Sequence, residues 1–312
     1  MAQLSIHNRG LHQFAVFTAC CTLLLVVAGA LVTSNDAGLA VPDWPLSYGS
    51  LLPPMVGGIF YEHGHRMVAT FVGILTIGLA VWLQLREPRR WMRRLGWIAL
   101  AAVAAQGVLG GLTVLFFLPR PVSISHASLA QLFFCTTVSI AVFTSRWWGS
   151  EVEERRDAHS DEVRNFAVAS VVVVFIQLVL GAAFRHRAVG ILPHILWAPV
   201  VLAFSVILSR KIRRNYSLAV ALRRPAVILA ALVATQILLG LAAYWSRVTF
   251  AEHPQPMPLM VGFTVAHVAV GAATLAASVV TALCCFRVLP PVRAVERTQK
   301  ATQVAALRES ES

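Results

Sequence analysis

The chain has 312 residues, 57% of them hydrophobic and only 13% charged, with a net charge of +12. Soluble domains carry about 45–50% apolar and about 25% charged residues, so this composition excludes an ordinary water-soluble fold. The positive charge does not point to nucleic acid, because it is confined to short segments between long apolar runs.

Arg9 precedes the first charge-free run, Leu11–Val32. A basic residue followed by an apolar run ending in small residues (Ala28–Ala30) is superficially a secretion signal, but this run exceeds a typical signal core and predicts an uncleaved helix. Segment 35–60 contains "AVPDWPLSYG", a loop stiffened by Pro42 and Pro45. Trp44 and Tyr48 are placed there to sit at a membrane interface or to cover a bound macrocycle. "YEHGHR" (61–66) leads into the second run, Met67–Leu85. Further runs are Leu95–Pro119, Pro121–Ser145, Asn165–Phe184, Ala188–Ser209, Pro225–Ser246 and Met257–Phe286. Each is near the ~20 residues a helix needs to cross a bilayer, which predicts an all-α integral membrane protein with eight spans. A β-barrel would show short alternating segments instead.

Taking the N-terminus as cytoplasmic, the cytoplasmic segments hold Arg9, five Arg at 86–94, four at 146–164, six Arg/Lys at 210–224 and five from Arg287 onward. The opposite side holds only Arg66, Arg120, Arg185, Arg187 and Arg247. This asymmetry predicts both termini in the cytoplasm, with the bilayer itself as partner and some attraction to anionic lipid. Cys20, Cys21, Cys135, Cys284 and Cys285 all fall in spans and form no C-x-x-C or C-x-x-C-H motif, so packing roles are expected.

"EVEERRDAHSDEV" separates the fourth and fifth runs as a mixed-charge, solvated linker. On either side of it the chain looks alike. "QGVLGG" at Gln106 and "QILLGL" at Gln236 lie 130 residues apart, and "QLVLGA" at Gln177 is a third variant. His65 and His194 are 129 residues apart, His126 and His267 141. These offsets predict a duplicated unit: two pseudo-symmetric four-helix bundles related by an axis along the membrane normal. The boundaries expected are 1–146 for the first half, 147–164 for the linker, 165–288 for the second half and 289–312 for a cytoplasmic tail.

Singly, a histidine in a membrane helix is often an interhelical hydrogen-bonding residue. Here each half supplies two from different helices, with His65, His126 and His194 expected in first turns and His267 deeper. Zinc would want three or four ligands in one cluster. Two opposed imidazoles instead suit the axial positions of one haem iron in a bundle, so the pattern reads as one haem site per half. A proton relay or transporter would use similar residues without needing two per half. His7, His12, His159, His186 and His253 are expected in solvent, and His63 faces away from His65. Glu62 lies three residues before His65, on the same face and about 4.5 Å away along the axis. It is either a first-turn residue stabilised by the helix N-terminus or an acid/base group beside a reactive haem. The second half has Ile191 at that position and Ile195 where the first has Arg66. Arg66 is expected to meet a haem propionate, to pair with Glu62 or to extend to the interface.

"LVTSNDAGLAVPDWPLSYG" (31–49) and "EHGHRMVATFVG" (62–73) resemble the haem A synthase family. The likeness continues through "QGVLGGLTV", "SHASLAQL" (125–132), "LPHILWAP" (192–199) and "AHVAVGA" (266–272). It implies an inner-membrane oxidoreductase that oxidises the C8 methyl of haem O to a formyl group through two hydroxylations, giving haem A for terminal oxidases. It further implies that Glu62, His65 and His126 serve the substrate haem O, while His194 and His267 hold a haem b that passes electrons. The implied partners are the farnesyltransferase that makes haem O and an electron donor of unassigned identity; a homo-oligomer is compatible, and nucleic acid is not expected. Some family members carry a cysteine pair in the first loop, which residues 35–60 lack. A di-haem cytochrome without substrate turnover, and a haem transporter or assembly chaperone, are the competing readings.

Overall fold

The computed structural model describes residues 8–155 and 157–290, so His7, Arg156 and nearly all of the expected tail at 289–312 lie outside the described residues. The helices are α1 (Arg9–Ser34), α2 (Gly57–Arg86), α3 (Arg90–Leu115), α4 (Arg120–Thr144), α5 (Arg146–Gly149), α6 (Ser160–Arg185), α7 (Leu192–Asn215), α8 (Val220–Thr249) and α9 (Pro258–Val288). All but the short α5 are long and apolar enough to cross a membrane, which gives the eight expected spans. The chain is an all-helical multi-pass membrane protein. In hydrocarbon each backbone polar group must be satisfied within its own segment, and a helix does this at every residue.

Local chemistry sets the helix ends. The Asn8 side chain accepts the Leu11 amide at 3.0 Å, capping α1. Pro occupies the first turn of α4, α7 and α9, where a missing N–H costs nothing. α2 begins at Gly57, ten residues before the charge-free run. Glu62 and His65 therefore lie beyond the first turn, which removes the helix-terminus account of Glu62 and corrects the first-turn placement of His65; His126, seven residues into α4, also lies beyond the first turn, whereas His194 is in the first turn of α7 as expected.

α1 packs on α2, α2 on α3, α3 on α4 and α4 on α1, closing a ring of four. α6, α7, α8 and α9 close a second ring in the same way. The rings meet through α1, α4, α6 and α9. α9 is central, and its buried face is built of small residues: Gly271, Ala272, Thr274, Ala276, Ser278, Thr281 and Ala282. Small side chains let helix backbones approach closely where no hydrophobic drive separates helix from lipid. Thr18, Thr22, Thr76 and Thr281 return their hydroxyls to a carbonyl four residues back, so these buried hydroxyls are satisfied. Large apolar residues such as Phe117, Leu85 and Leu238 cover the outside, as expected for a surface facing lipid.

The linker is less solvated than its charge pattern suggests. The Arg155 amide donates to the Val288 carbonyl at 2.9 Å, and Arg287 reaches the Ser150 carbonyl at 2.7 Å. Both contacts tie it to the end of α9. His12, expected in solvent, packs on α4 with Nδ1 3.1 Å from the Ala141 carbonyl. His186, also expected in solvent, is half-buried at the end of α6. Burial first, and then Arg185, push its pKa below the ordinary value. Cys20 faces outward, whereas the other four cysteines are buried.

Three spans separate the α1–α2 loop from the linker. Cysteines introduced at Ser50 and at Glu154 are therefore expected to react with an impermeant thiol reagent from opposite sides of membrane vesicles. Labelling of both from one side would contradict the fold.

Candidate functional site

α2 and α4 stand diagonally in the first ring, and α7 and α9 stand diagonally in the second. These four helices carry His65, His126, His194 and His267, so each pair projects across its own bundle. The His194 and His267 rings meet edge-on, with centres 6.1 Å apart and planes at 77°.

Each histidine rests against a glycine of the preceding helix. A Cβ at Gly29 in α1 would lie 3.2 Å from His65 Nε2. A Cβ at Gly110 in α3 would lie 3.4 Å from His126 Cε1, one at Gly181 in α6 3.1 Å from His194 Cε1, and one at Gly240 in α8 3.0 Å from His267 Cε1. Glycine is required there for ring and backbone to approach so closely. Four residues before three of these glycines stands a glutamine. Gln106 donates to the His126 carbonyl at 3.0 Å, Gln177 to that of His194 at 3.0 Å and Gln236 to that of His267 at 2.9 Å. The glutamine motifs are visible in the sequence, but their partners are not.

Around Glu62 the first ring carries a structure with no counterpart in the second. Glu62 is buried, accepts the Val41 amide at Oε2 (2.8 Å) and pairs with Arg66 through Oε1 (2.6 Å). Arg66 also donates to the Asp43 carbonyl at 2.8 Å and the Leu46 carbonyl at 2.7 Å. Pairing with Glu62, one of the arrangements expected for Arg66, is present. Ser47 Oγ and His63 Nδ1 are hydrogen-bonded at 2.8 Å, so buried His63 faces this loop, as its offset from His65 requires. Residues 41–47 are thus clamped onto α2 by Glu62, His63 and Arg66.

The loop is also ordered within itself. Tyr48 and Gly49 both have positive φ, and the Ser47 and Ser50 amides and carbonyls pair reciprocally at 3.0 Å. This makes the kind of two-residue turn that glycine favours. The Gly49 and Tyr48 amides, with the charge of Arg66, hold the Asp43 carboxyl below its ordinary pKa. Trp44 lies flat on α3, where a Cβ at Gly111 would come within 2.7 Å of its ring. Gly111 adjoins Gly110, so the indole sits beside the turn that supports His126. The sequence placed Trp44 in a loop near the site; its seat on α3 needed the fold.

Among the described residues, no three His, Cys, Asp or Glu side chains converge as they would around a bound metal ion. The arrangement fits a haem. A metal–imidazole bond is about 2 Å long, so two nitrogens opposed across one ion stand about 4 Å apart and their ring centres somewhat further. The 6.1 Å between the His194 and His267 centres matches that spacing. Nδ1 of His126 and Nδ1 of His267 are buried without a protein partner, which marks both rings as incompletely satisfied by the protein alone.

Fold and site define an all-helical, multi-pass membrane protein with a diagonal pair of histidines inside each of two four-helix rings. The family model described as Cytochrome oxidase assembly protein, COX15-CtaA, matches residues 55–193, which include Glu62, His65, Arg66 and His126. The chain is 28% identical to the Heme A synthase of Lysinibacillus sphaericus over 58% of this chain and 59% of that protein. It is 30% identical to the Heme A synthase of Symbiobacterium thermophilum over 53% of this chain and 55% of that protein. The corresponding protein of Bacillus pumilus is 27% identical over 56% and 59%. The matches thus span less than two thirds of these curated relatives.

Proposed function

We propose that this protein is a haem A synthase, an oxidoreductase that converts haem O to haem A for cytochrome oxidase assembly. The C8 methyl would become a formyl group through two successive hydroxylations, each drawing its oxidant and oxygen atom from outside the protein, and the resulting gem-diol would lose water to give the aldehyde. The observation that carries the reading is the asymmetry between two otherwise similar histidine pairs: only the α1–α4 ring has a buried carboxylate and a clamped loop beside its histidines. A carrier of electrons alone would need neither.

In this reading His65 and His126 hold the substrate haem O, and His194 and His267 hold a resident haem b that relays electrons. When bound, the haem irons supply the redox chemistry; the protein supplies ligation, orientation and a sealed pocket. Glu62 is the acid/base group. A carboxylate has about four acceptor sites, and Val41 and Arg66 occupy two of them, so capacity remains for a proton or for positive character developing at the methyl carbon. Arg66 supplies the counter-charge and holds loop 41–47 in place. Trp44 and that loop shield the site from water. The basic segments orient the protein in the inner membrane with both termini cytoplasmic, which places the histidines in the outer leaflet. Partners are the farnesyltransferase that delivers haem O and a separate electron donor.

Mass spectrometry of haem extracted from cells with and without the protein tests this reading. Haem A is expected only when the protein is present, with haem O accumulating in its absence. Equal haem A in both would favour an electron-carrying di-haem cytochrome if two haems stay bound on purification, and a transporter if they do not.

A further inference from the structure

The four histidines sit in four helical hairpins that share one contact, a ring on a glycine of the preceding helix, yet one hairpin differs. In α3/α4, α6/α7 and α8/α9, the residue four before the glycine is Gln106, Gln177 or Gln236, and its amide grips the carbonyl of the histidine. Gln177 Nε2 and Gln236 Nε2 also lie 3.4 and 3.3 Å from Nε2 of the His194 and His267 rings. In α1/α2 the residue four before Gly29 is Leu25, which has no hydrogen-bonding group. Among the described residues, His65 has no hydrogen bond from its side chain and none to its carbonyl from a side chain of α1.

We infer that the glutamine–glycine pair is the positioning device for an axial histidine, and that its absence from the α1/α2 hairpin makes His65 the exchangeable ligand of the substrate haem. The inference rests on the haem-binding reading above. A side-chain amide that binds the histidine carbonyl pins one helical turn to the preceding helix, and the glycine lets the ring lie against that helix. The ring then has little freedom to swing out of line with an iron. His126, His194 and His267 are held in this way. His65 has the glycine seat but no side-chain pin to α1; the polar contacts of its turn, through Glu62, His63 and Arg66, go to loop 41–47 instead, so turn and loop can shift together relative to α1 when haem O must enter and haem A must leave. Two pinned ligands suit a haem that stays, and one pinned with one unpinned ligand suits a haem that passes through. Gln106, Gln177 and Gln236 are positioning residues, acting through the histidines.

The test uses the full-length, haem-loaded protein in detergent, with apomyoglobin as haem acceptor. Haem loss is expected in two phases, the faster of which belongs to the first ring and disappears in His65→Ala. Leu25→Gln is expected to slow the fast phase by about tenfold, equivalent to about 1.4 kcal/mol and on the scale of one hydrogen bond. Gln236→Met, nearly the same size but unable to donate, is expected to speed the slow phase by a similar factor. It should also shift the low-spin ferric EPR g-values of the haem that remains, because these report the relative orientation of the two imidazole planes. Simple destabilisation would lower the EPR amplitude without moving those values. If Gln236→Met does not assemble, Gln177→Met tests the same site from the other hairpin. An unchanged fast phase in Leu25→Gln, or an unchanged slow phase and EPR spectrum in the glutamine variant, overturns the inference. Failure to bind haem at all, or haem content unaffected by His194→Ala and His267→Ala, overturns the haem reading instead.

Discussion

Glu62→Gln is expected to abolish haem A formation while the first ring still binds haem. The substitution preserves shape and one oxygen, so the Val41 amide keeps an acceptor and loop 41–47 keeps most of its anchoring. What disappears is the charge, and with it both the pairing with Arg66 and the capacity to take up a proton. General acid–base groups contribute roughly 10²–10⁴-fold to a rate, so product should fall by at least about two orders of magnitude, with haem O or a hydroxylated intermediate accumulating. Two controls separate chemistry from loop anchoring. Arg66→Ala removes the donors to the Asp43 and Leu46 carbonyls, so it should increase protease cleavage within residues 41–50. Glu62→Gln should leave that cleavage near the wild-type level. Ile191→Glu in the second ring should create no second reactive site, because no clamped loop or arginine stands beside His194. A normal haem A yield from Glu62→Gln would reduce Glu62 to a clamp for the loop.

His267→Ala is expected to remove the low-spin haem b signal while the protein still inserts into the membrane. The rings of His194 and His267 meet edge-on with centres 6.1 Å apart, and in the proposed reading loss of either would leave one side of an iron without a protein ligand. His194→Ala should have the same spectral effect. His267→Met is the informative companion. It restores a ligand of different chemistry, and a methionine–histidine pair raises the reduction potential of a haem relative to two histidines. Haem should therefore return with a higher midpoint potential. The decisive measurement is the reduced-minus-oxidised spectrum of membranes with a potentiometric titration. An unchanged spectrum in both alanine variants would mean that this pair does not hold a haem.

Composition and order of residues were enough for the membrane class, the eight spans and the histidines, and the reason lies in the solvent. Hydrocarbon tolerates few polar side chains and no unpaired backbone, so span length and a lone intramembrane histidine stand out in the bare sequence. The repeated Q-x-x-x-G segments were equally visible at Gln106, Gln177 and Gln236. Their meaning was not, because a glycine acquires a role only when a neighbouring helix brings a ring against it, as Gly240 meets His267. Periodicity likewise put Glu62 and His65 on one face but could not say where the carboxylate goes. That was decided by a loop returning across the start of α2, so that the Val41 amide, twenty-one residues earlier, reaches Glu62. The start of α2 at Gly57 was hidden for a related reason: its first turns mix two glycines, Ile59 and Phe60 with the polar Glu62, His63 and His65, and Glu62 and His63 lie against that loop. Hydropathy registers contact with lipid, whereas these helical turns are stabilised by hydrogen bonds to other parts of the protein. Such long-range pairings, which local pattern does not encode, separate the ring that holds Glu62 from the ring that lacks it.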